Sequence, residues 1–451
     1  MAGLPDFIAD ENAVIENNKP WNGLSIRKIA GKKTIEESLL PHVTSFEDPY
    51  LVSRFIDYYN SYRKKRIWLF IDRPTAIGDN AEALFRHSVW KRDGIEKFMV
   101  VPDARFIKNF TGMRARVIIF GSFEYKFLLM FAEKIISSIT FFEYVLVDTN
   151  IPGWAFKDLA QALASPQQVF LQHGITKDYG IIQNYLNSSM REIDLFITAT
   201  QKEKNLFLTP EAGFTAEQVK LTGFPRYDTL KSHPEKLITF IPTWRNRYSH
   251  EDDSYNPAFK HSELYHAINH FLTDEKLLNA LNDYGYRLIF KVHPKMQVQF
   301  EDFDFCAPVE VVCNEISYNE LYEKSSVMIT DYSSAVFDFA YLKKPVIYFQ
   351  SVDPEYEQSQ ELFSYEKDGF GEVFTKQKDT IDYLIALIES GCHMPETYQK
   401  RVDSFFIYKD TANAERVYQE LLKMPQRVKF TRFRWILKKV IEKMKNIMTR
   451  D

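Results

Sequence analysis

The strongest constraint on the fold of this 451-residue chain is a long series of short, almost unbroken apolar runs, separated by stretches with helical spacing. "RIWLFID" (66–72), "KFMVVP" (97–102), "RVIIF" (116–120), "YVLVD" (144–148), "QVFLQHG" (168–174), "LFITAT" (195–200) and "VKLTG" (219–223) form a first set. "LITFIPTW" (237–244), "YRLIFKVHP" (286–294), "VEVVC" (309–313), "SVMITD" (326–331) and "KPVIYF" (344–349) form a second. A strand with one wet face alternates apolar and polar residues. A run that does not alternate needs cover on both faces, as in a parallel sheet flanked by helices. The intervening "NAEALFRHSVWKRD" (80–93), "EYKFLLMFAEKIISS" (124–138) and "SELYHAINHFLTDEKLLNALNDYG" (262–285) read as those helices.

The prediction is an α/β chain with two doubly wound units joined by the polar "KSHPEK" (231–236) and facing each other across a cleft. The first unit is expected over 66–232 and the second over 236–395, with closing helices at 396–424 that pack back on the first. Residues 1–65 read as an extension or linker, helical near "PYLVSRFIDYYNSYRKKR" (49–66). The end differs in character. In 425–451, Phe433, Leu437, Val440, Met444 and Ile447 fall on one helical face, while Arg434, Lys438, Lys439, Lys443 and Lys445 crowd the rest. Such a helix suits an anionic membrane interface; the alternative is docking on the protein itself or in an oligomer.

A net charge of −4 removes bulk attraction for polyanions, so nucleic acid is not an expected partner and anion chemistry must be local. Three cysteines (Cys306, Cys313, Cys392) make neither a CxxC nor an even framework, which fits a reducing compartment. The N-terminal residues contain no apolar signal region, and no window approaches ~20 uncharged apolar residues. The expected place is the cytoplasm, peripherally on the inner membrane face.

Candidate chemistry collects where strands end. In "VMITDYSSAVFDFA" (327–340) a buried strand hands over to a helix through Thr330, Asp331, Ser333 and Ser334. The first N–H groups of a helix lack internal partners, so two serines there either cap the helix plainly or seat a phosphate. "LQHGITKDYG" (171–180) puts His173 at a strand's carboxyl end before Gly174, a position for a general base, with Lys177 one turn on. "FKVHPKM" (290–296) places His293 likewise, beside Lys291. "IPTWRNRYSH" (241–250) supplies Thr243 and Arg245, and "LTGFPRYDTL" (221–230) supplies Arg226 and Asp228; arginines beside a cleft suit bidentate phosphate recognition or surface ion pairs. Asn319 and Asp338 complete the set. The "DFD" at 302–304 reads as structural, and no HExxH, GxSxG, Walker A or GxGxxG occurs.

Taken in order, His173-Gly174, T-G-F-P-R-x-D (222–228), P-T-W-R (242–245), His293-Pro294, T-D-Y-S-S-x-x-x-D-x-A-x-L-x-x-P (330–345) and "DTANAERV" (410–417) resemble the CDP-glycerol glycerophosphotransferase family. That family builds teichoic acids and similar capsules in bacteria. The resemblance covers about 66–420 and departs at Gln172, Lys291 and Glu372, where Trp, Arg and Pro are usual. It implies a GT-B fold, with the first unit holding the acceptor and the second the nucleotide donor. It also implies His173 as the base for the acceptor hydroxyl and His293 as a stabiliser of the transferring phosphate. Thr330, Asp331, Ser333 and Ser334 would lie near the donor pyrophosphate, with Arg226 and Arg245 as further ligands. The implied donor is CDP-glycerol or another CDP-alditol and the acceptor a polymer or lipid-linked hydroxyl; no cofactor is called for, and Mg2+ has no ligand motif here. Competing readings are a GT-B glycosyltransferase using a CMP-activated sugar, and a non-catalytic membrane-bound subunit.

Overall fold

The computed structural model describes residues 49–426, apart from 74–75, 141–165, 178, 192, 249–253, 314 and 353–362. Two parallel sheets carry the chain. The first holds β1 (Arg66–Ile71), β2 (Ile95–Val101), β3 (Val117–Ile119), β4 (Lys134–Ser137), β5 (Gln167–Phe170), β6 (Leu195–Thr198) and β7 (Val219–Leu221), in the order β3-β2-β1-β4-β5-β6-β7. The second holds β8 (Leu237–Ile241), β9 (Arg287–Lys291), β10 (Val309–Val312), β11 (Val327–Thr330), β12 (Val346–Phe349) and β13 (Gly371–Phe374), in the order β10-β9-β8-β11-β12-β13. Both begin in the middle, wind outward one way and then return to wind the other way, the order of a Rossmann-like unit. The strand order reverses between β1 and β4 in one lobe and between β8 and β11 in the other. Ligands of such sheets sit beyond the strand ends at those two reversals.

The unbroken apolar runs are explained by burial: β4, β6, β8, β11 and β12 bury every residue. Three stretches differ from expectation. The run 124–138 is not one helix but the Phe123–Leu129 helix followed by β4, which pairs with β1 in register Trp68↔Lys134. Its apolar stretch fits helical and extended spacing alike, and the partnering of β1 decides for a strand at the β-branched "KII". The "YVLVD" run (144–148) lies outside the described residues. The 262–285 stretch divides at Thr273, because the Asp274 side chain accepts from Leu277 N–H and caps a second helix, Glu275–Tyr284. β13 was not anticipated. Gly371 opens it where a Cβ would lie 1.8 Å from the Val346 carbonyl oxygen, so only glycine permits this edge pairing.

One apolar core runs through both lobes, from Trp68, Phe85 and Leu171 to Phe224 and Tyr227, then Phe337, Phe339 and Phe406. The Tyr227 and Tyr341 rings stack at 4.3 Å across the junction. The Asn413–Lys423 helix lies on the first lobe, where Asp228 accepts from Asn413 N–H (2.9 Å) and Ala414 N–H (2.7 Å). Gly223 allows that approach, since a Cβ there would meet Asn413 Oδ1 at 1.9 Å.

Candidate active site

On the first lobe, β5 ends at Phe170, and Leu171 and Gln172 continue buried. Gln172 takes φ 59°, the left-handed region, which costs a residue with a Cβ about 1–2 kcal/mol. Its carbonyl accepts from Asn80 Nδ2 (2.8 Å), which also donates to the Leu171 carbonyl (3.1 Å). The Gln172 amide donates to the Ile197 carbonyl (2.7 Å) and accepts from Thr176 Oγ1 (3.2 Å). The next residue, His173, comes out exposed into the cleft. The residue is exposed as a whole, yet protein stands around its ring on nearly every side. That desolvation, followed by the charges of Arg73 and Arg226, holds the imidazole below its ordinary value; Asp79 and a hydrogen bond to the Ser138 backbone pull the other way.

Beneath His173 lies the reversal between β1 and β4. The buried Asp72 carboxylate accepts from the N–H groups of Gly78 (3.1 Å), Asp79 (3.0 Å) and Ala81 (2.9 Å) and from Ser138 Oγ (2.7 Å). Burial pushes Asp72 up to about 7, with the neighbouring Asp79 charge next in effect. Glu203, also buried, accepts from Thr176 N–H (2.8 Å) and Ala199 N–H (2.9 Å), and burial raises it to about 7. Sequence reasoning missed Asp72, Asp79, Asn80 and Glu203. For the first three the signal is the polar "DRPTAIGDN" (72–80) after the first apolar run, a strand-to-helix junction like the one at 330–335; Glu203 lies in the helix after β6.

On the second lobe the reversal between β8 and β11 is bound by Asp331, whose carboxylate accepts from Thr243 N–H (2.6 Å) and Arg245 Nη2 (3.0 Å). Arg245 is fully buried and also donates to the Thr243 carbonyl (2.8 Å). Thr330 Oγ1 donates to the Ile241 carbonyl (2.7 Å), latching β11 to β8. Lys291 Nζ donates to the Cys313 carbonyl, and burial lowers its pKa. The Asp331 carboxylate, Thr330 Oγ1, Lys291 Nζ and the Arg245 Nη1 and Nη2 groups are thus engaged within the protein. Thr243 Oγ1 and Arg245 Nε are buried with no protein partner. His293 is half-buried at the end of β9, its ring stacked on Trp244 at 5.5 Å and 24°. Ser333 Oγ accepts from Ala335 N–H (3.3 Å), whereas Ser334 makes no side-chain cap and is exposed.

The two sides meet. A methyl group added at Gly174 would stand 3.5 Å from Ser334 Oγ, so the His173-Gly174 turn faces the serine pair of the opposite lobe. Arg226 spans the junction: Nε and Nη2 donate to the two Asp338 oxygens (2.8 Å each) and Nη1 to Asp79 Oδ1 (2.8 Å). Lys177 Nζ donates to Tyr365 Oη (3.0 Å), and Asn319 Nδ2 to the Gly78 carbonyl (3.3 Å), both across the lobes. Asp228 faces away, toward the Asn413–Lys423 helix. Among the described residues no group of three or more His, Cys, Asp or Glu is placed to hold a metal ion.

Two Rossmann-like domains with paired strand-end residues facing one cleft define a GT-B-type architecture. The sequence model described as CDP-Glycerol:Poly(glycerophosphate) glycerophosphotransferase matches residues 53–423, and this chain belongs to that family. It is 34% identical over 410 residues to the Minor teichoic acid biosynthesis protein GgaB of Bacillus subtilis (strain 168), covering 88% of this chain and 42% of that protein. It is 24% identical over 318 residues to the Teichoic acid glycerol-phosphate transferase of Staphylococcus aureus (strain NCTC 8325 / PS 47), covering 62% of this chain and 75% of the relative. The solved structure of the wall teichoic acid polymerase TagF shares the fold, with a TM-score of 0.56 at 16% identity over 87% of this chain and 98% of that one. Relative to GgaB the chain spans less than half the length.

Proposed function

We propose that this chain transfers an alditol phosphate, glycerol phosphate first among candidates, from a CDP-alditol to a hydroxyl of a growing cell-surface polymer. The observation that carries the reading is the His173-Gly174 turn set against Ser334 across the cleft, in a chain of this family. A TagF structure soaked with CDPG, with a TM-score of 0.53 at 16% identity, supports a CDP-alditol as the donor class.

In the step, the acceptor oxygen attacks the distal phosphorus of the diphosphate. A new P–O bond forms, the bond to the bridging oxygen breaks, and CMP leaves with that electron pair. His173 takes the acceptor proton; its depressed basicity keeps the ring neutral and ready near neutral pH. Charge on the equatorial oxygens needs preorganised donors. Ser334 Oγ, the Ser333–Ser334 backbone and His293, held by Trp244, supply them from the second lobe. Asp331, Arg245 and Thr330 keep that junction in shape from behind. Arg226 and Asp338 tie the lobes at the working separation.

Among the described residues no helix is long and apolar enough to cross a membrane. Residues 427–451, outside them, are assigned to the anionic inner membrane face, where a lipid-linked acceptor is presented. Co-sedimentation with anionic vesicles that survives deletion of 427–451 contradicts that assignment. The function itself is tested by incubating the full chain with CDP-glycerol, CDP-ribitol and a CMP-activated sugar in the presence of an oligo(glycerol phosphate) primer. CMP release with a new phosphodiester from a CDP-alditol is expected. Transfer from the CMP-sugar alone, or from none, refutes it.

A further inference from the structure

We propose that Gln172 is a positioning residue for His173: its side-chain amide holds the end of β5 in a left-handed turn that brings the imidazole out into the cleft. The inference rests on the reading above for its catalytic meaning, but the geometry stands by itself. Gln172 is almost completely buried, with φ 59°, immediately before an exposed histidine. Only three residues with a Cβ adopt positive φ among the described residues, and the other two, Lys343 and Cys392, follow helices as chain reversals. Gln172 instead interrupts a path that would otherwise extend β5.

Every polar atom of Gln172 outside its own N–H has a named partner. Nε2 donates to Ile197 O on the neighbouring β6, Oε1 accepts from Thr176 Oγ1, and the carbonyl accepts from Asn80 Nδ2. The partners are themselves anchored: Asn80 Oδ1 accepts from Arg226 N–H (3.1 Å), and Thr176 N–H is held by Glu203. The turn is therefore fastened to β6, to the helix beginning at Asn80 and to the Arg226 segment. A strained conformation persists only where its surroundings over-determine it, and such places cluster at working sites. A buried amide accepting and donating at once also fixes side-chain direction, which a purely apolar filler does not. The groups facing His173 are Arg73, Asp79 and Arg226, with Ser138 on its ring, and Glu203 lies behind the turn.

The test compares the wild-type full chain with Gln172→Gly, which suits positive φ but lacks the anchors, and Gln172→Met, which keeps the bulk without them. CMP release from CDP-glycerol with the primer is measured across pH, and the His173 ring is titrated by NMR. Both variants are expected to lower kcat at least tenfold with KM for CDP-glycerol within about twofold. The His173 titration, and the acidic limb of kcat with it, should move toward the ordinary imidazole range as the ring is released to solvent. An unchanged kcat and an unmoved His173 titration in a folded variant overturn the proposal; if the glycine variant does not fold, the methionine variant decides. His173→Ala separates the two claims. If it turns over like wild type, the base assignment fails, and the titration alone still decides whether Gln172 sets the ring.

Discussion

At His173, three scales of cause meet in one side chain. Local backbone strain at Gln172 brings it out, the protein mass of both lobes desolvates it, and Arg73 adds a repelling charge. A lowered pKa in a base means that the reactive neutral form survives to lower pH than an ordinary imidazole near ~6.5. The acidic limb of kcat/KM should therefore fall below that value, and Arg73→Ala, removing the second-largest cause, should move the limb upward; a limb that stays put contradicts the assignment. Arg226 makes a different kind of contribution. Its pairing with Asp338 and Asp79 is almost wholly buried, so Arg226→Ala leaves two carboxylates without their cation and is expected to cost about 3–5 kcal/mol, read as a lower denaturant midpoint. Loss of less than ~1 kcal/mol would mean the pair carries little. The sequence singled out Arg226 but not its protein partner Asp338, because the pair closes over 112 residues and no local pattern announces such a contact. Arg245 is the same case over 86 residues.

Among elements, those whose burial is set by their own composition were legible, and those decided by neighbours were not. β8 and β11 read directly from unbroken apolar runs because both faces are covered. β4 did not, since "KIIS" follows an apolar helix after only the short "MFAE", whose spacing also fits a helix, and pairing with β1 selects the extended state. The serine pair shows the same limit at finer grain: the junction was recognisable, but which hydroxyl caps depends on the Ser334 backbone, whose helical φ of −68° and ψ of −10° leave the capping bond to Ser333. Asp228 belongs to element-level packing as well. It satisfies the first N–H groups of the Asn413–Lys423 helix, so Asp228→Ala should destabilise the chain by about 1–3 kcal/mol and free that helix from the first lobe. Amide exchange in 413–423 checks this; unchanged protection there would contradict it.

For the molecule as a whole, the shared core and the Arg226 pairing make the cleft a largely preformed feature. The first lobe offers an imidazole of lowered basicity, the second a serine-lined junction and a stacked histidine, and the distance between them is set by packing rather than by a long hinge. The chain belongs to the CDP-Glycerol:Poly(glycerophosphate) glycerophosphotransferase family and shares the TagF fold, and both support the proposed transfer. The central claim concerns division of labour: the first lobe moves the proton and the second holds the diphosphate. It is tested most directly on His173→Ala by pairing calorimetric titration of CDP-glycerol with single-turnover CMP release in the presence of primer. The account predicts donor affinity within about threefold of wild type and CMP release at least a hundredfold slower, a loss at the lower end of what a positioned acid–base group contributes. Turnover at the wild-type rate, or donor binding lost together with turnover, would contradict it.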